Sequence, residues 1–246
     1  MDFSNKTVIA TGAGSGIARL YLENIAALGA TAVFVDINQD TVEEAAQNLR
    51  DKGFKALAYT VDVRNAQNIC DVVKDVLDKT GRIDILLNSA GGASARVWKQ
   101  PRFAEASFES IEWGIDVNLK GAVFFARAVL PAMEEQKSGL ILNMSSVDGI
   151  TGSRGCVDYG AAKAGMIGLT KSLAFYGAPN GIRSVSVAPG PVLTRPNMKN
   201  MTTLLGRAAE VQEVVDLLLY LSSEKAAFIT GCNYQIDGGR PCNIVK

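Results

Sequence analysis

The sequence predicts an α/β fold with a doubly wound, seven-stranded parallel sheet and helices on both faces. Short apolar segments alternate with longer segments of helical periodicity along the chain. A glycine-rich turn joins the first apolar segment to the helical segment that follows it. Alternation of this kind is typical of a parallel sheet whose crossover helices cover its two faces.

The predicted strands and helices follow one another in regular order. Apolar runs predict strands at residues 7–10, 32–35, 56–61, 83–87, 140–144, 183–187 and 234–236. Helical spacing of apolar residues predicts helices at 17–28, 41–52, 65–79, 108–136, 157–176 and 210–222. In such a sheet, ligands bind in the crevice at the carboxyl ends of the strands.

Composition limits the function classes. Hydrophobic residues make up 48% of the 246 residues and charged residues 20%, which predicts one globular domain over residues 1–246. Basic and acidic residues number 25 each, so no net charge favours nucleic acid or an anionic membrane surface. The sequence has no signal peptide pattern and no membrane-span pattern, so we expect a cytoplasmic protein.

Histidine is absent, which excludes Ser-His-Asp and Cys-His hydrolases and any histidine-based metal site. The four cysteines have no CxxC spacing, so neither a disulfide framework nor a metal site is predicted. Proton transfer must therefore use another type of side chain.

The turn after the first strand contains Gly12, Gly14 and Gly16, with Ser15 and Ile17 beside them. Such a turn lets the backbone approach a pyrophosphate at the positive end of the following helix, as in Rossmann-type dinucleotide sites. No Gly-Lys-Ser/Thr follows, which argues against a nucleoside triphosphate loop. The alternative is a turn that only joins strand to helix.

Asp36 closes the second predicted strand, 20 residues after Gly16. An acid at this place hydrogen-bonds an adenosine ribose hydroxyl and repels a 2′-phosphate. Because Ser15, Ile37 and Asn38 offer no cation for such a phosphate, NAD is favoured over NADP. The alternative for Asp36 is an ordinary turn residue.

Tyr159 and Lys163 lie four residues apart in a predicted helix and therefore share one helical face. Alone, the pair also suits a half-buried tyrosine beside a solvated lysine. Three further features make a chance occurrence of this pair improbable. They are Ser146 after a buried strand, Asn118 in a helical stretch, and Asn-Ser-Ala-Gly at 88–91.

Together these residues make the chain resemble the compact branch of the short-chain dehydrogenase/reductase family, over nearly its whole length. The motifs that carry the resemblance are Thr11-Gly12-x-x-x-Gly16-x-Ala18, Asp62-Val63, Asn88-Ser89-Ala90-Gly91, Pro189-Gly190-x-x-x-Thr194 and Ile236-Asp237-Gly238-Gly239. Ala18 and Ser89 depart from the family pattern, which has glycine and asparagine there. Alanine is small enough for close helix packing, so we expect cofactor binding to survive.

The resemblance implies a catalytic tetrad of Asn118, Ser146, Tyr159 and Lys163. Tyr159 would be the acid-base, Ser146 would bond the substrate oxygen, Lys163 would favour the phenolate and bind ribose, and Asn118 would hold a water. The implied cofactor is NAD, bound by Gly12, Ser15, Gly16, Ile17, Asp36, Asp62, Val63, Asn88, Ala90, Gly91, Tyr159, Lys163, Pro189, Gly190, Val192 and Thr194. A base near neutral pH needs a tyrosine pKa lowered by about three units, or roughly 4 kcal/mol.

The implied substrate is a small alcohol or ketone, of polyol, sugar-like or hydroxy-acid type. Arg96, Asp148 and Arg154 suggest a polar or carboxylated molecule, and residues 195–206 predict a short, mobile substrate lid. The resemblance also implies a homotetramer or homodimer joined through the helices at 108–136 and 157–176.

Two other functions remain open from the sequence. One is a dinucleotide-binding regulatory protein that has lost catalysis, although such relatives often lose the tyrosine or lysine. The other is an epimerase or dehydratase of the family's extended branch, which would need a larger C-terminal substrate domain.

Overall fold

Parallel strands form the centre of the protein in the computed structural model, which describes residues 1–99, 102–200 and 203–240. The strands are β1 (Thr7–Thr11), β2 (Thr31–Asp36), β3 (Ala56–Thr60), β4 (Ile85–Asn88), β5 (Gly139–Met144), β6 (Ile182–Pro189) and β7 (Asn233–Ile236). They form one seven-stranded sheet in the order β3-β2-β1-β4-β5-β6-β7, and every pair is parallel. The order reverses between β1 and β4, which opens a crevice there. The predicted doubly wound sheet is confirmed.

Helices connect the strands and cover the sheet. They are α1 (Gly16–Ala27), α2 (Gln39–Arg50), α3 (Ala66–Thr80), α4 (Ser94–Val97), α5 (Phe108–Ile115), α6 (Gly121–Gln136), α7 (Asp148–Thr151), α8 (Val157–Gly177) and α9 (Val211–Ser222). Buried residues of α1, α2 and α9 pack in one apolar cluster, and those of α3, α6 and α8 pack in a second. The helices therefore lie on both faces of the sheet.

Alternation along the strands explains the two clusters. In β1, Val8 and Ala10 belong to the first cluster, whereas Ile9 between them belongs to the second. In β2, Phe34 likewise faces the first cluster and Val33 the second. Successive side chains of a strand point to opposite faces, so a run of apolar residues is required wherever both faces are covered.

The long helix predicted at 108–136 is divided in the structure. α5 and α6 are joined by one π-helical stretch, Asp116–Lys120. Within it, Asn118 donates through Nδ2 to the carbonyl of Gly114, four residues earlier, at 2.8 Å. A π-helical turn carries an extra residue, and such turns occur often at functional sites.

Helix caps set several boundaries. The side chain of Asn38 accepts the N–H of Thr41, and α2 therefore begins at Gln39, two residues before its predicted start. Asn65 caps α3 in the same way through the N–H of Asn68. The α3 helix then ends at Gly81, whose φ of 73° lies in the left-handed region.

Within the described ranges, no helix is long and apolar enough to cross a membrane. The same residues contain no group of three or more histidine, cysteine or acidic side chains that could hold a metal ion. Cys70, Cys156 and Cys232 are free thiols. Cys242 and the end of the predicted 1–246 domain lie outside the described residues.

Candidate active site

Two adjoining cavities lie along the crevice at the carboxyl ends of the strands. One has a volume of about 340 Å³ and the other about 270 Å³, and both are lined by Gly12, Ser15, Ser89 and Gly91. We call the first the catalytic cavity, because Ser146, Tyr159 and Lys163 line it, and the second the Asp36 cavity. Of the residues predicted to bind the cofactor, only Asn88 lines neither cavity.

The glycine turn forms the floor between the two cavities. Gly12 and Gly16 have φ values of 67° and 64°, which other residues rarely adopt. A Cβ on Gly12 would lie 2.8 Å from the Cα of Ala90, so the turn packs directly on the segment after β4. Ser15 is the N-cap of α1 but makes no side-chain capping bond. The turn therefore leaves the N-terminus of α1 accessible from the crevice, as a pyrophosphate site requires.

Asp36 stands at the end of β2, at the rim of the Asp36 cavity. Its Oδ2 accepts the N–H of Gly14 at 3.0 Å, and its Oδ1 accepts the N–H of Asn38 at 3.1 Å. A carboxylate oxygen accepts more than one hydrogen bond, so both oxygens retain acceptor capacity for a sugar hydroxyl.

The Asp36 cavity is also lined by Asp62, Val63 and Arg64. Arg64 binds the Asp62 carboxylate with two nitrogens, and its shortest contact is 2.6 Å. This hydrogen bond lowers the pKa of Asp62. Arg64 is a cation in the same cavity as Asp36 that the motifs do not predict, although its position two residues after Asp62 is a signal for it.

Lys163 is the most buried charged group of the site, at 4% exposure. Its Nζ donates to the carbonyl of Met144 at 2.8 Å and lies 5.5 Å from the centre of the Tyr159 ring. Burial lowers the pKa of Lys163 to about 8, because the ammonium loses hydration.

Tyr159 and Ser146 face each other in the catalytic cavity. Burial raises the pKa of Tyr159, while a hydrogen bond with the Ser146 side chain and the charge of Arg96 lower it; the net direction is upward. The lowered pKa expected for a base is therefore not produced by these groups, since the loss of phenolate hydration outweighs them. Ser146 also accepts the N–H of Asp148 through Oγ, at 3.2 Å.

Asn118 lies behind the catalytic cavity, at 1% exposure. Its Oδ1 accepts the N–H of Gly92 at 3.0 Å, and its Nδ2 donates to the Gly92 carbonyl at 2.8 Å. A Cβ on Gly91 would collide with Asn118 Oδ1 and lie 3.3 Å from Lys163 Nζ. Since Nδ2 also donates to Gly114, a water at this side chain would have to use the remaining lone pair of Oδ1.

Asn88 lies beneath the crevice rather than in its wall. Its Nδ2 donates to Asn143 Oδ1 at 2.9 Å, and Asn143 in turn donates to the hydroxyl of Thr170. The buried Oδ1 of Asn88 has no hydrogen-bond partner among the described residues. Asn88 therefore links β4 to β5 near the site and lines neither cavity.

The charged residues expected around the substrate separate in the structure. Arg96 lines the catalytic cavity, whereas Asp148 and Arg154 do not. Burial raises the pKa of Asp148. Arg195 and Met198, which sequence reasoning assigned only to the lid, also line this cavity.

The segment predicted as a lid is partly fastened to its surroundings. A 3₁₀ helix covers Pro196–Asn200. The N–H of Leu205 donates to the Gly238 carbonyl at 3.2 Å, and Val192 pairs with Ala209 in a parallel bridge. Residues 201 and 202 of the predicted lid lie outside the described residues.

The sequence matches the family model described as short chain dehydrogenase over residues 6–204. The chain belongs to the short-chain dehydrogenase/reductase family. It therefore belongs to a family of oxidoreductases that bind a nicotinamide cofactor. The family resemblance inferred from the motifs is confirmed.

Curated relatives match the chain over almost its full length. It is 36% identical to a 3-oxoacyl-[acyl-carrier-protein] reductase of Thermotoga maritima, covering 97% of this chain and 99% of that protein. It is 35% identical to a meso-2,3-butanediol dehydrogenase of Serratia marcescens, covering 97% and 96%. Among solved structures, an NAD⁺-bound xylitol dehydrogenase superposes with a TM-score of 0.88 at 25% identity, covering 97% of this chain and all of that one (100%).

Proposed function

We propose that this protein is an NAD(H)-dependent oxidoreductase that interconverts a small alcohol and its ketone, with Tyr159 as the acid-base. The observation that carries the proposal is that Ser146, Tyr159 and Lys163 share one cavity with the glycine turn. A hydride site and a proton site must be adjacent for such a reaction. The alcohol-type relatives support the same class of substrate.

The residues present fit a dinucleotide. The Asp36 cavity and the catalytic cavity meet at Gly12 and Ser15, so one elongated ligand can extend from one into the other. A Cβ on Gly12 would collide with the backbone of Ala90, so glycine lets the turn shared by both cavities lie against the segment after β4. Asp36 supports NAD over NADP, because it would repel a 2′-phosphate. Arg64 does not offset this charge, since its guanidinium is already bound to Asp62.

Tyr159 and Ser146 handle the substrate oxygen in this proposal. When bound, the nicotinamide ring supplies the hydride chemistry. Ser146 donates a hydrogen bond to the substrate oxygen, and Tyr159 gives its proton to a carbonyl or takes one from an alcohol. The raised pKa of Tyr159 keeps the phenol protonated at neutral pH, which suits proton donation to a ketone.

Lys163 adjusts this proton transfer. Its ammonium, 5.5 Å from the Tyr159 ring centre, stabilises negative charge on the phenolate during alcohol oxidation. The bond to the Met144 carbonyl fixes its position. Because the pKa of Lys163 is about 8, this support weakens as the pH rises above that value.

Replacing Tyr159 with phenylalanine tests the proposal. We expect Tyr159→Phe to lower kcat/KM by about 10²–10⁴, the usual contribution of a positioned acid-base. The assay is absorbance of reduced nicotinamide across a panel of alcohols and ketones. NADH binding, followed by fluorescence, should weaken by less than about tenfold, since only one of the expected cofactor contacts is lost. Full turnover by the variant would contradict the proposed role.

The alternative of a regulatory protein makes the opposite prediction for the wild type. Such a protein would bind NADH but turn over no member of the panel, and Tyr159→Phe would then change nothing measurable.

Three further features stay predictions. They are the cytoplasmic location, the single domain over residues 1–246 and the homotetramer or homodimer.

A further inference from the structure

Arg96 is presented to the catalytic cavity by the short helix α4. It lines that cavity together with Ser146 and Tyr159. Its Nη2 lies 3.4 Å from the point that a Cβ on Gly92 would occupy, so the guanidinium lies over the segment that leaves β4. Arg96 therefore shares one cavity with the two side chains proposed to meet the substrate oxygen.

The turn that carries Arg96 is fixed relative to Tyr159. Ser94, the first residue of α4, donates through Oγ to Asp158 Oδ2 at 2.5 Å, and both residues are 4% exposed. Asp158 directly precedes Tyr159 in α8. A Cβ on Gly114 would collide with the Asp158 carboxylate, so α5 closes over this buried bond. The backbone that carries Arg96 is therefore fixed relative to the acid-base, and the exposed side chain of Arg96 extends from it.

The positive charge of Arg96 is available to a ligand. Among residues 1–99, 102–200 and 203–240, no carboxylate lies within ion-pair distance of its guanidinium. Its charge nevertheless acts on Tyr159: burial raises the pKa of that phenol, and the charge of Arg96 opposes this rise. An unpaired guanidinium beside the reacting group is suited to bind a carboxylate through two parallel hydrogen bonds.

We propose that the substrate is a hydroxy acid or the corresponding oxo acid, whose carboxylate binds Arg96 while its hydroxyl or keto oxygen meets Ser146 and Tyr159. This inference rests on the proposed oxidoreductase function. In the oxidation, the alcohol would lose a hydride, for which a bound nicotinamide is the acceptor, and would give its hydroxyl proton to the phenolate form of Tyr159, which leaves a ketone and a neutral phenol. The carboxylate is unchanged by the reaction.

A carboxylate fits better than a phosphate ester. Arg195, the other arginine that lines the cavity, follows Thr194, whose Cγ2 lies 3.5 Å from the point a Cβ on Gly16 would occupy. The guanidinium of Arg195 lies against the Met198 sulfur at 3.5 Å, within its own segment. One guanidinium, that of Arg96, balances the single negative charge of a carboxylate.

Paired substrates test the proposal. The pairs are 2-hydroxybutanoate with 1,2-butanediol, and 3-hydroxybutanoate with 1,3-butanediol, each assayed with NAD. We expect Arg96→Gln to lower kcat/KM for the preferred acid at least about tenfold, mainly through KM, and for its diol by less than about threefold. Arg96→Lys should retain part of the preference. Arg195→Gln, the matched control, should change both members of a pair alike.

Two results would overturn the proposal. One is an equal loss of kcat/KM for acid and diol in Arg96→Gln, and the other is a wild-type enzyme that uses the diols as well as the acids. Binding of unreactive butanoate to the enzyme–NADH complex, measured by the change in NADH fluorescence, gives a second readout. We expect binding by the wild type and at least about tenfold weaker binding by Arg96→Gln. Equal binding would reject the carboxylate site even if no alcohol is turned over, whereas a panel-wide lack of turnover with Arg96-dependent binding would reject only the proposed oxidoreductase function.

Discussion

At the scale of single residues, Asp36 combines two effects that can be separated. Its Oδ2 accepts the N–H of Gly14 and so holds the glycine turn, while its charge acts on the ligand. Asparagine keeps one oxygen acceptor for the Gly14 N–H, and it removes the charge together with the second acceptor that Asn38 uses. Because the Asn38 bond lies outside the ligand path, cofactor choice in this variant reports mainly the loss of charge.

We expect Asp36→Asn to raise the ratio of kcat/KM with NADP to that with NAD by about tenfold, since one close repulsion of about 1.4 kcal/mol is removed. Steady-state assays with both cofactors measure this ratio. Asp40→Asn, an exposed acid in the first turn of α2, is the control and should leave the ratio unchanged. A wild-type enzyme that already works as well with NADP would contradict the assignment.

Spacing in the sequence predicts where a side chain lies if a regular helix or strand fixes it, and predicts less if tertiary contacts decide its direction. Tyr159 and Lys163 are predicted to lie together because a helix puts residues four apart on one face. The motif at 88–91 predicts a cofactor-binding role for Asn88, yet its amide donates to Asn143 of the neighbouring strand β5. Strand-end position alone does not determine the direction of a side chain.

At the scale of secondary structure, Asp84 joins the starts of two central strands. Its carboxylate, 5% exposed, accepts the N–H of Thr7 and is bound by Arg82 and Lys6. Burial raises the pKa of Asp84, but the hydrogen bonds from Arg82, Thr7 and Lys6 outweigh this, and the pKa is lowered. The ionised carboxylate therefore stabilises the junction of β1 and β4.

We expect Asp84→Asn to reduce the free energy of unfolding at neutral pH by about 1–3 kcal/mol, the usual value for hydrogen bonds to a charged group. A lowered pKa gives stabilisation that is present above the ordinary value and is lost as the pH falls through the folded value. The difference in the free energy of unfolding between wild type and Asp84→Asn should become smaller below about pH 4. Urea unfolding across this range measures it.

The control for this series is Asp78→Asn, which removes an exposed pair with Lys74. It should change the free energy of unfolding by less than about 1 kcal/mol. A difference for Asp84→Asn that is independent of pH would show that packing, rather than charge, is the source of its stabilisation.

Long helices are predictable because many residues contribute to one periodic pattern, and buried strands are predictable because they are continuous apolar runs; four-residue helices have neither signal. The strands and α3, α8 and α9 lie close to their predicted bounds. The four-residue helices α4 and α7 have too few residues for any periodicity, and depend on contacts such as Ser94 with Asp158. The π-helical stretch at Asp116–Lys120 likewise follows from bonds of Asn118 to a distant loop.

At the scale of the whole molecule, large apolar side chains remain on the surface. Phe175 and Tyr176 near the end of α8 are 86% and 59% exposed, and Phe108 at the start of α5 is 85% exposed. Exposed aromatic groups on helices are typical of surfaces that associate with another chain. This agrees with the homotetramer or homodimer that the sequence resemblance implies.

We expect light scattering to give a mass of two or four times the 26.1 kDa of one chain. Phe175→Glu should shift the protein toward smaller species, because a charge would be buried in the contact. Lys74→Glu on α3, which is also exposed, is the control for a charge change alone. A wild-type protein of single-chain mass would contradict the prediction.

The double hydrogen bond between Asn118 and Gly92 bears on how tightly the site can bind. Together with the bond from Ser94 to Asp158, it holds the segment after β4 in place by contacts within the chain itself. The loss of conformational entropy for this segment is therefore incurred during folding. A substrate that enters the crevice has little loop ordering to offset, so more of its contact energy appears as affinity and as alignment with Tyr159.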